Sequence, residues 1–320
     1  MGDAPRLAGA HHFRPELTIL SSGFLLRHYP CLELFQIRKM KEQEVMEPVA
    51  TAEPKLVTPH RSTANQTLNE EQGHWLLAKM GKKVLRPGGK ELTLQLMGKL
   101  GITTQDDIVE FAPGLGFTAG IALAKNPRSY TGVELNEEAA VILRKKIHGP
   151  DREIVIGNAC CSPLGSGSAD KVYGEAMLTM QADHRKAEIV REAYRILRPG
   201  GLYGIHEIAL TPDSMPEAGK KQIQHDLAST IKVNARPLTQ AEWTAMLEAE
   251  GFTVESVMIN PMHLLEPARI MDDEGFFRTL KIAFNILTHP KARKRILSMR
   301  KVFRRYEDSM CAIAIVVRKR

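Results

Sequence analysis

The fold follows from one stretch, Asp106-Asp107-Ile108-Val109-Glu110-Phe111-Ala112-Pro113-Gly114-Leu115-Gly116-Phe117-Thr118-Ala119-Gly120. A short apolar strand ends in an acid, a glycine turn follows, and a helix of small residues begins after it. Glycines one residue apart let the backbone turn sharply and approach a ligand without an intervening Cβ. The free N–H groups of the next helix point at the same place. This strand–turn–helix unit is therefore predicted to hold a nucleotide-like ligand.

Two ligands fit the glycine turn. Gly114-x-Gly116-x-x-Ala119 satisfies the dinucleotide fingerprint, in which a pyrophosphate lies on the helix N-terminus. An NAD(P)-dependent oxidoreductase is therefore one alternative. Glu110, at the strand end, favours another ligand, because its carboxylate would repel a pyrophosphate but could accept a hydrogen bond from a cationic amino group. S-adenosylmethionine has such an amino group and no phosphate.

The following chain alternates strands and helices, and polar residues come at the strand ends. Strands are predicted at 130–134, 153–157, 171–174 and 202–208, and helices at 118–125, 137–147 and 183–197. This βαβ rhythm predicts a parallel, doubly wound sheet, in which ligands bind outside the carboxyl ends of the strands. Side chains at or just past those ends are expected to share one cleft: Glu110, Glu134, Asn158, Glu175 and His206.

From Gly101 to Ala209, this order of motifs resembles the class I S-adenosylmethionine-dependent methyltransferases, closest to the small-molecule branch that includes the ubiquinone/menaquinone-type enzymes. The resemblance implies a Rossmann-like, seven-stranded sheet that is mostly parallel with an antiparallel last strand. It also implies S-adenosylmethionine as the cofactor and an activity of the EC 2.1.1 class.

The resemblance also suggests what each site residue does. The predicted cofactor contacts are Glu110 to the ammonium, Gly114 and Gly116 beneath the methionine part, Glu134 to the two ribose hydroxyls, and Asn158 with the Ala159 backbone at the adenine edge. Ala112, Leu135 and Glu175 are also predicted to bind the cofactor. The family more often has an acid where Asn158 stands. Glu175 and His206 are the candidates for a catalytic base. The alternatives are that Glu175 only holds the cofactor and that His206 is a hydrogen-bonded wall residue. No metal site is predicted.

Composition narrows the classes of protein. The net charge is +7, but residues 291–305 contain eight lysines and arginines and no acid, so no protein-wide nucleic-acid surface is expected. The cysteines, Cys31, the adjacent pair Cys160-Cys161 and Cys311, form no disulfide framework, which is typical of a reducing cytoplasm. No apolar run approaches the roughly 20 residues of a membrane span.

Two parts of the chain depart from the family pattern. Residues 1–60 are predicted to be a variable or disordered extension to a methyltransferase domain at 61–320. Helical cap insertions are predicted at about 212–236 and 261–309. The second insertion has an apolar stripe of Phe276, Leu280, Ala283, Phe284 and Leu287, followed by a basic helix with Ile296, Met299 and Phe303 on one side.

Two interpretations of the second insertion stay open. In the first, both helices pack on each other and on the sheet edge. In the second, they roof an apolar substrate pocket, and the basic helix meets an acidic head group or an anionic membrane surface.

The sequence thus predicts a cytoplasmic enzyme that transfers a methyl group from S-adenosylmethionine directly to a small, partly apolar acceptor. The alternatives are an NAD(P)-dependent oxidoreductase and a non-catalytic adaptor that binds nucleic acid or membranes through 291–305. Nucleic-acid methyltransferase signatures are absent where Glu175-Ala176-Met177-Leu178 stands, which favours a small molecule as the partner.

Overall fold

The computed structural model describes residues 72–320. The predicted extension at 1–60 lies outside these residues. The described chain forms one mixed sheet with helices on both faces. Its strands are β1 (Asp107–Phe111), β2 (Ser129–Glu134), β3 (Arg152–Ile156), β4 (Ala169–Glu175), β5 (Leu197–Leu210), β6 (Leu238–Thr239), β7 (Phe252–Pro261) and β8 (Met310–Lys319).

The sheet confirms the predicted Rossmann-like architecture. The strand order is β3-β2-β1-β4-β5-β8-β7, and the two-residue β6 pairs with β5 outside this path. The pairs among β1 to β5 are parallel, whereas β8 is antiparallel to both β5 and β7. The chain builds outward from β1 to β3 and then crosses back to β4. The order therefore reverses between β1 and β4, which is where such sheets bind ligands.

Ten helices and a short 3-10 turn accompany the strands in the described chain. The helices are α1 (Gly73–Lys79), α2 (Gly89–Leu100), α3 (Phe117–Leu123), α4 (Glu137–Lys146), α5 (Asp183–Ile196), α6 (Glu217–Ile231), α7 (Gln240–Ala249), α8 (Pro267–Glu274), α9 (Phe276–Thr288) and α10 (Pro290–Arg305). The turn is Leu178–Met180. Across residues 72–320, none of the helices combines the length and the apolar character needed to cross a bilayer.

Local sequence explains where several helices begin and end. Gly101 ends α2 in the left-handed conformation, with φ of 57°, which glycine adopts without a Cβ clash. Thr239 caps α7 through a capping box, in which its hydroxyl accepts from the Glu242 N–H and the Glu242 carboxylate accepts from the Thr239 N–H.

Strand alternation divides the core into two layers. Ile313, Ile315 and Val317 of β8 belong to the cluster that includes Trp243, and Ala312, Ala314 and Val316 to the cluster of α2. Side chains two residues apart share a face of a strand. By the same alternation, Glu110, Glu175 and His206 lie on the α2 face, because they follow Ile108, Tyr173 and Leu202 of the α2 cluster by two, two and four positions. Their partners come from that side.

Both predicted cap regions are largely helical. The first contains α6, and the connection from β7 to β8 contains α8, α9 and α10. The inner sides of α1, α6 and α10 and the loop residues Met262 and Leu264 stand over the carboxyl edge of the sheet, where they share a cavity with it.

Candidate active site

A cavity of about 290 Å³ opens at the carboxyl ends of β1, β2 and β4. Its sheet side is formed by residues from the glycine turn and from the ends of β2 and β4: Ala112, Pro113, Gly114, Leu115, Glu134, Glu175 and Ala176. The cavity therefore lies where the strand order reverses, as expected for this class of sheet.

The two glycines of the turn do different work. Gly114 has φ of 58°, and a Cβ built on it would meet only the Ala112 carbonyl oxygen, at 4.0 Å, so the backbone here faces open space. A Cβ on Gly116 would lie 2.8 Å from Leu143 Cδ2, so this glycine allows close packing of α4. Gly114 lines the cavity, and Gly116 is not among the residues that line it. The open cradle at Gly114 fits the methionine part of the predicted cofactor.

Two residues with a strained backbone lie on the same wall. Ala112 and Ala176, which follow or end the neighbouring strands β1 and β4, have φ of 51° and 52°. Residues with a Cβ rarely adopt this conformation, and such strain is common at functional sites. Both alanines line the cavity, so the strained backbone shapes its floor.

Glu134 lies on the cavity wall with only 6% of its surface exposed. Its Oε2 accepts from the Gly114 N–H at 3.0 Å, and its Oε1 accepts from the Asn136 N–H at 2.9 Å. A carboxylate has about four lone-pair sites, so each oxygen can still accept a hydrogen bond. Glu134 is thus fixed by backbone donors and keeps the acceptors that ribose hydroxyls need.

Glu110 is oriented differently from the prediction. Its Oε2 accepts from the hydroxyls of Tyr130 at 2.7 Å and Tyr173 at 3.0 Å, and its side chain is not part of the cavity wall. Burial raises the pKa of Glu110 to about 7, against the hydrogen bonds from both tyrosines. Strand alternation turns the side chain under α2, so a direct contact with the cofactor ammonium does not fit this geometry.

Glu175 is the centre of a buried polar network. Its carboxylate accepts from Arg86 and Thr118, from the Thr93 hydroxyl at 2.8 Å, and lies 2.7 Å from His206 Nδ1. Burial alone would raise the pKa of Glu175, but the positive charge of Arg86 and the hydrogen bond from His206 lower it to about 2. A carboxylate with so low a pKa is a weak base, so Glu175 fits the role of a structural anion on the wall.

His206 does not reach the cavity. Its side chain is fully buried, with Nδ1 at Glu175 and Nε2 2.5 Å from the Pro87 carbonyl oxygen. Its neighbour Glu207 lies on the opposite face, where it accepts from the N–H groups of Met177, Leu178 and Thr179. His206 as a base acting on substrate is therefore not supported by the geometry. His206 is hydrogen-bonded as in the alternative interpretation, but it lies behind the cavity wall, where it joins Glu175 to the loop before α2.

Three of the predicted cofactor contacts, Leu135, Asn158 and Ala159, lie outside the cavity wall. Leu135 follows Glu134 and exposes 65% of its surface, which leaves an apolar face beside the end of β2. Asn158 accepts from the Cys160 N–H at 3.2 Å through its own Oδ1, and Ala159 is buried in the core. These three residues surround the carboxyl ends of β2 and β3, and their contacts with the cofactor stay predictions.

Two cations precede α2: Lys82 is buried, and the side chain of Arg86 is 11% exposed. Arg86 reaches Glu175, and Lys82 lies 3.5 Å from Asp273 and 3.9 Å from Glu274 of α8. Glu274 also accepts from the N–H groups of Lys83 and Val84. The cap therefore holds this loop against the cavity.

The other half of the cavity is apolar, and sequence reasoning did not identify it. Its lining comes from α1, β5, α6 with the segment after it, α10 and the loops after β4 and β7: Trp75, Leu77, Met177, Met180, Ile208, Ile231, Val233, Met262, Leu264, Met299 and Phe303. His74 is a polar exception, and burial lowers its pKa to about 4, so its imidazole is neutral at pH 7. Of these lining residues, Met299 and Phe303 were predicted from the sequence to share one side of a helix in the cap. Both line the cavity, which supports the pocket-roof interpretation for α10.

Comparison with known proteins agrees with the fold. A family model described as a methyltransferase domain matches residues 109–205. An uncharacterized protein of Haemophilus influenzae is 33% identical over 255 residues, covering 78% of this chain and 99% of the relative. A probable S-adenosylmethionine-dependent methyltransferase of Mycolicibacterium smegmatis is 28% identical over 152 residues, covering 48% of this chain and 54% of that protein.

A solved structure adds support at the level of the fold. Phosphoethanolamine N-methyltransferase 2 of Haemonchus contortus, in complex with S-adenosyl-L-methionine, has a TM-score of 0.61 at 17% identity, covering 83% of this chain and 61% of that chain. The matched domain contains the glycine turn, Glu134 and Glu175, the residues that form the sheet side of the cavity. Residues 109–205 thus form a methyltransferase domain with the class I fold, and S-adenosylmethionine is its cofactor.

Proposed function

We propose that this chain transfers the methyl group of S-adenosylmethionine to a small, partly apolar acceptor held in the apolar half of the cavity. The observation that carries the proposal is the continuity of the cavity. One wall has the open backbone of Gly114 and the carboxylate of Glu134, and the opposite wall is built largely from methionine, leucine, isoleucine and aromatic side chains. A cofactor and an apolar acceptor can therefore lie next to each other in one enclosed space.

For methyl transfer, the main task of the protein is to hold the cofactor and the acceptor in line. When bound, S-adenosylmethionine supplies a methyl group activated by its sulfonium. The attacking atom of the acceptor would form a bond to the methyl carbon, the electron pair of the broken carbon–sulfur bond would stay on sulfur, and any proton on the attacking atom would pass to solvent water. Holding the two reactants in line is worth several kcal/mol. Gly114 and Glu134 would position the donor, and the apolar wall would position the acceptor and exclude water.

No strong base faces the cavity among the residues that line it. Glu175 is held ionised by Arg86, and His74 is neutral with a lowered pKa. An acceptor with an accessible lone pair or an acidic hydroxyl fits this arrangement best, because it needs little help in losing a proton. His74 can orient such a group by donating or accepting one hydrogen bond. Phenols and quinols have this chemistry, and the resemblance to the ubiquinone/menaquinone-type enzymes points to the same class.

The test is a transfer assay with radiolabelled S-adenosylmethionine over a panel of quinols, phenols and amines of graded hydrophobicity. Val233→Asp places a charge on the apolar wall at a half-buried position, and Val141→Asp, at an exposed position on α4, is the matched control. We expect Val233→Asp to raise the acceptor KM about tenfold or more and to leave S-adenosylhomocysteine binding unchanged. Equal activity of the two variants, or transfer only to polar acceptors, would contradict the proposal.

A further inference from the structure

Helix α9 presents its apolar stripe to solvent. Its exposed side chains are Phe276, Phe277, Leu280, Phe284 and Leu287, and Phe277 exposes 86% of its surface. The packed side of the helix contains Ile282, which is buried, and Asn285, whose amide donates to the Met80 carbonyl oxygen at 3.0 Å. At about 100° of rotation per residue, the exposed five span an arc of roughly 100° on the side away from Ile282.

This orientation overturns both earlier interpretations of α9. Its stripe neither packs on the sheet edge nor roofs the cavity, since none of the five residues lines the cavity. Three phenylalanines and two leucines on one exposed face are far more than the scattered apolar residues of an ordinary protein surface. A face of this kind is typical of a surface that meets another apolar phase.

The next helix supplies positive charge beside this face. Between Lys291 and Arg305 the chain has no acid, and the exposed side chains of α10 include Lys291, Arg293, Lys294 and Lys301. Leu297, with 55% of its surface exposed, lies among them. Among the described residues, Glu266 binds Arg300 and Arg304, and Asp226 binds Arg305. Lys291, Lys294 and Lys301 are exposed to solvent, with the exposed Leu297 among them.

An aromatic and leucine-rich face beside exposed lysines is the composition of helices that lie in the interface of an anionic bilayer. We propose that α9 and α10 dock the protein on an anionic phospholipid membrane. The phenylalanines of α9 enter the head-group region, and Lys291, Lys294 and Lys301 bind lipid phosphates. The binding is peripheral, since no described helix can cross the bilayer.

Docking in this way would place the cavity close to the lipid. The inner side of α10 contributes Met299 and Phe303 to the apolar wall, and the outer side of the same helix has the lysines. One helix thus connects the proposed membrane face to the cavity. This inference concerns binding alone and does not depend on which acceptor is methylated.

The test is sedimentation of the full chain with vesicles of phosphatidylcholine, with and without about one third phosphatidylglycerol. Phe277→Ser with Phe284→Ser removes the apolar contact at exposed positions, and Lys294→Glu with Lys301→Glu reverses the charge. The matched controls are Leu94→Ser with Val141→Ser, and Lys125→Glu with Lys145→Glu, all at exposed positions on or near other helices.

We expect the wild type to bind the anionic vesicles at least tenfold more strongly than neutral ones. Both α9/α10 double variants should lose most of this binding, with the controls unchanged and S-adenosylhomocysteine binding intact in every protein. Absence of vesicle binding by the wild type would overturn the proposal. Binding that survives both double variants would assign it to another part of the chain. A self-association that only the phenylalanine variant abolishes, without vesicle binding, would assign the face to a second copy.

Discussion

Replacing Arg86 with methionine tests how the cavity wall is held. Arg86 and Glu175 form a salt bridge in which the side chains are 11% and 5% exposed. Methionine keeps much of the volume and the contact with Phe117, over whose ring the guanidinium lies at 5.0 Å, but leaves the Glu175 carboxylate without its positive partner. Removing one member of a buried ion pair costs about 3–5 kcal/mol. Because Thr93 and His206 still bind Glu175, we expect a loss of about 3 kcal/mol in the free energy of unfolding.

The pH dependence of this loss has a definite sign. The folded-state pKa of Glu175, about 2, lies below its ordinary value of 4.5, so ionised Glu175 stabilises the wild type above pH 4.5, and this stability is lost as the pH falls toward 2. Without Arg86, burial of the carboxylate is less opposed, and its pKa rises. The difference between wild type and variant should therefore be largest near neutral pH and shrink by about 1 kcal/mol between pH 7.5 and pH 4.

The assay is urea unfolding of the full chain at both pH values, with Arg86→Met, Glu175→Gln and the double variant. Because the double variant removes both charges, it should be more stable than Arg86→Met at pH 7.5. Breaking a buried ion pair should cost several kcal/mol. If Arg86→Met lowers the free energy of unfolding by less than about 1 kcal/mol at pH 7.5, this account of the network is refuted. A difference that grows as the pH falls would refute it equally.

Three further predictions concern single positions. Glu110→Gln should gain stability relative to wild type by about 3 kcal/mol in urea unfolding as the pH rises from about 4.5 to 7, and the difference should level off above that. The reason is that wild-type Glu110 keeps its proton in the folded state up to its raised pKa of about 7, whereas the unfolded chain loses it above its ordinary value of 4.5; a constant difference would contradict it. Gly114→Ala should weaken S-adenosylhomocysteine binding about tenfold in calorimetry, because the added methyl group enters the open space at the cavity wall. The control Gly101→Ala introduces alanine at a similar positive φ outside the cavity, so it should lower the free energy of unfolding without weakening this binding. Lys82→Met should lower the free energy of unfolding by about 3 kcal/mol, because it leaves Asp273 and Glu274 without the buried cation of Lys82. The control Lys90→Met, at an exposed position, should have a free energy of unfolding within about 0.5 kcal/mol of wild type.

The sheet and the position of the cleft were predictable because they depend on local patterns. Glu134 and Glu175 each end a strand, and the ends of parallel strands lie at one edge of the sheet. This placement does not depend on distant parts of the chain, and both residues line the cavity. The glycine turn was predictable for the same reason. The different roles of Gly114, which faces the cavity, and Gly116, which packs against α4, were not predictable. They depend on the close approach of Leu143 to Gly116, which is set by how α4 packs.

The remaining features depend on contacts between distant residues. Arg86 and Glu175 are 89 residues apart, and nothing in the sequence around either residue points to the other. Glu110 stands at the predicted strand end, but the hydroxyls that engage its carboxylate come from Tyr130 and Tyr173 on neighbouring strands. The periodicity of α9 predicts an apolar stripe without saying which way it faces, because the direction is set by the contact of Asn285 and Ile282 with the rest of the cap.

The central claim is that S-adenosylmethionine binds between the glycine turn and Glu134. The most direct measurement is calorimetric titration of S-adenosylhomocysteine into the full chain, comparing wild type, Glu134→Ala and the exposed control Glu153→Ala. We predict binding in the micromolar range for wild type and control, and at least tenfold weaker binding for Glu134→Ala, with NADH not bound by any of them. Failure of the wild type to bind, or equal affinity of Glu134→Ala and wild type, would contradict the account.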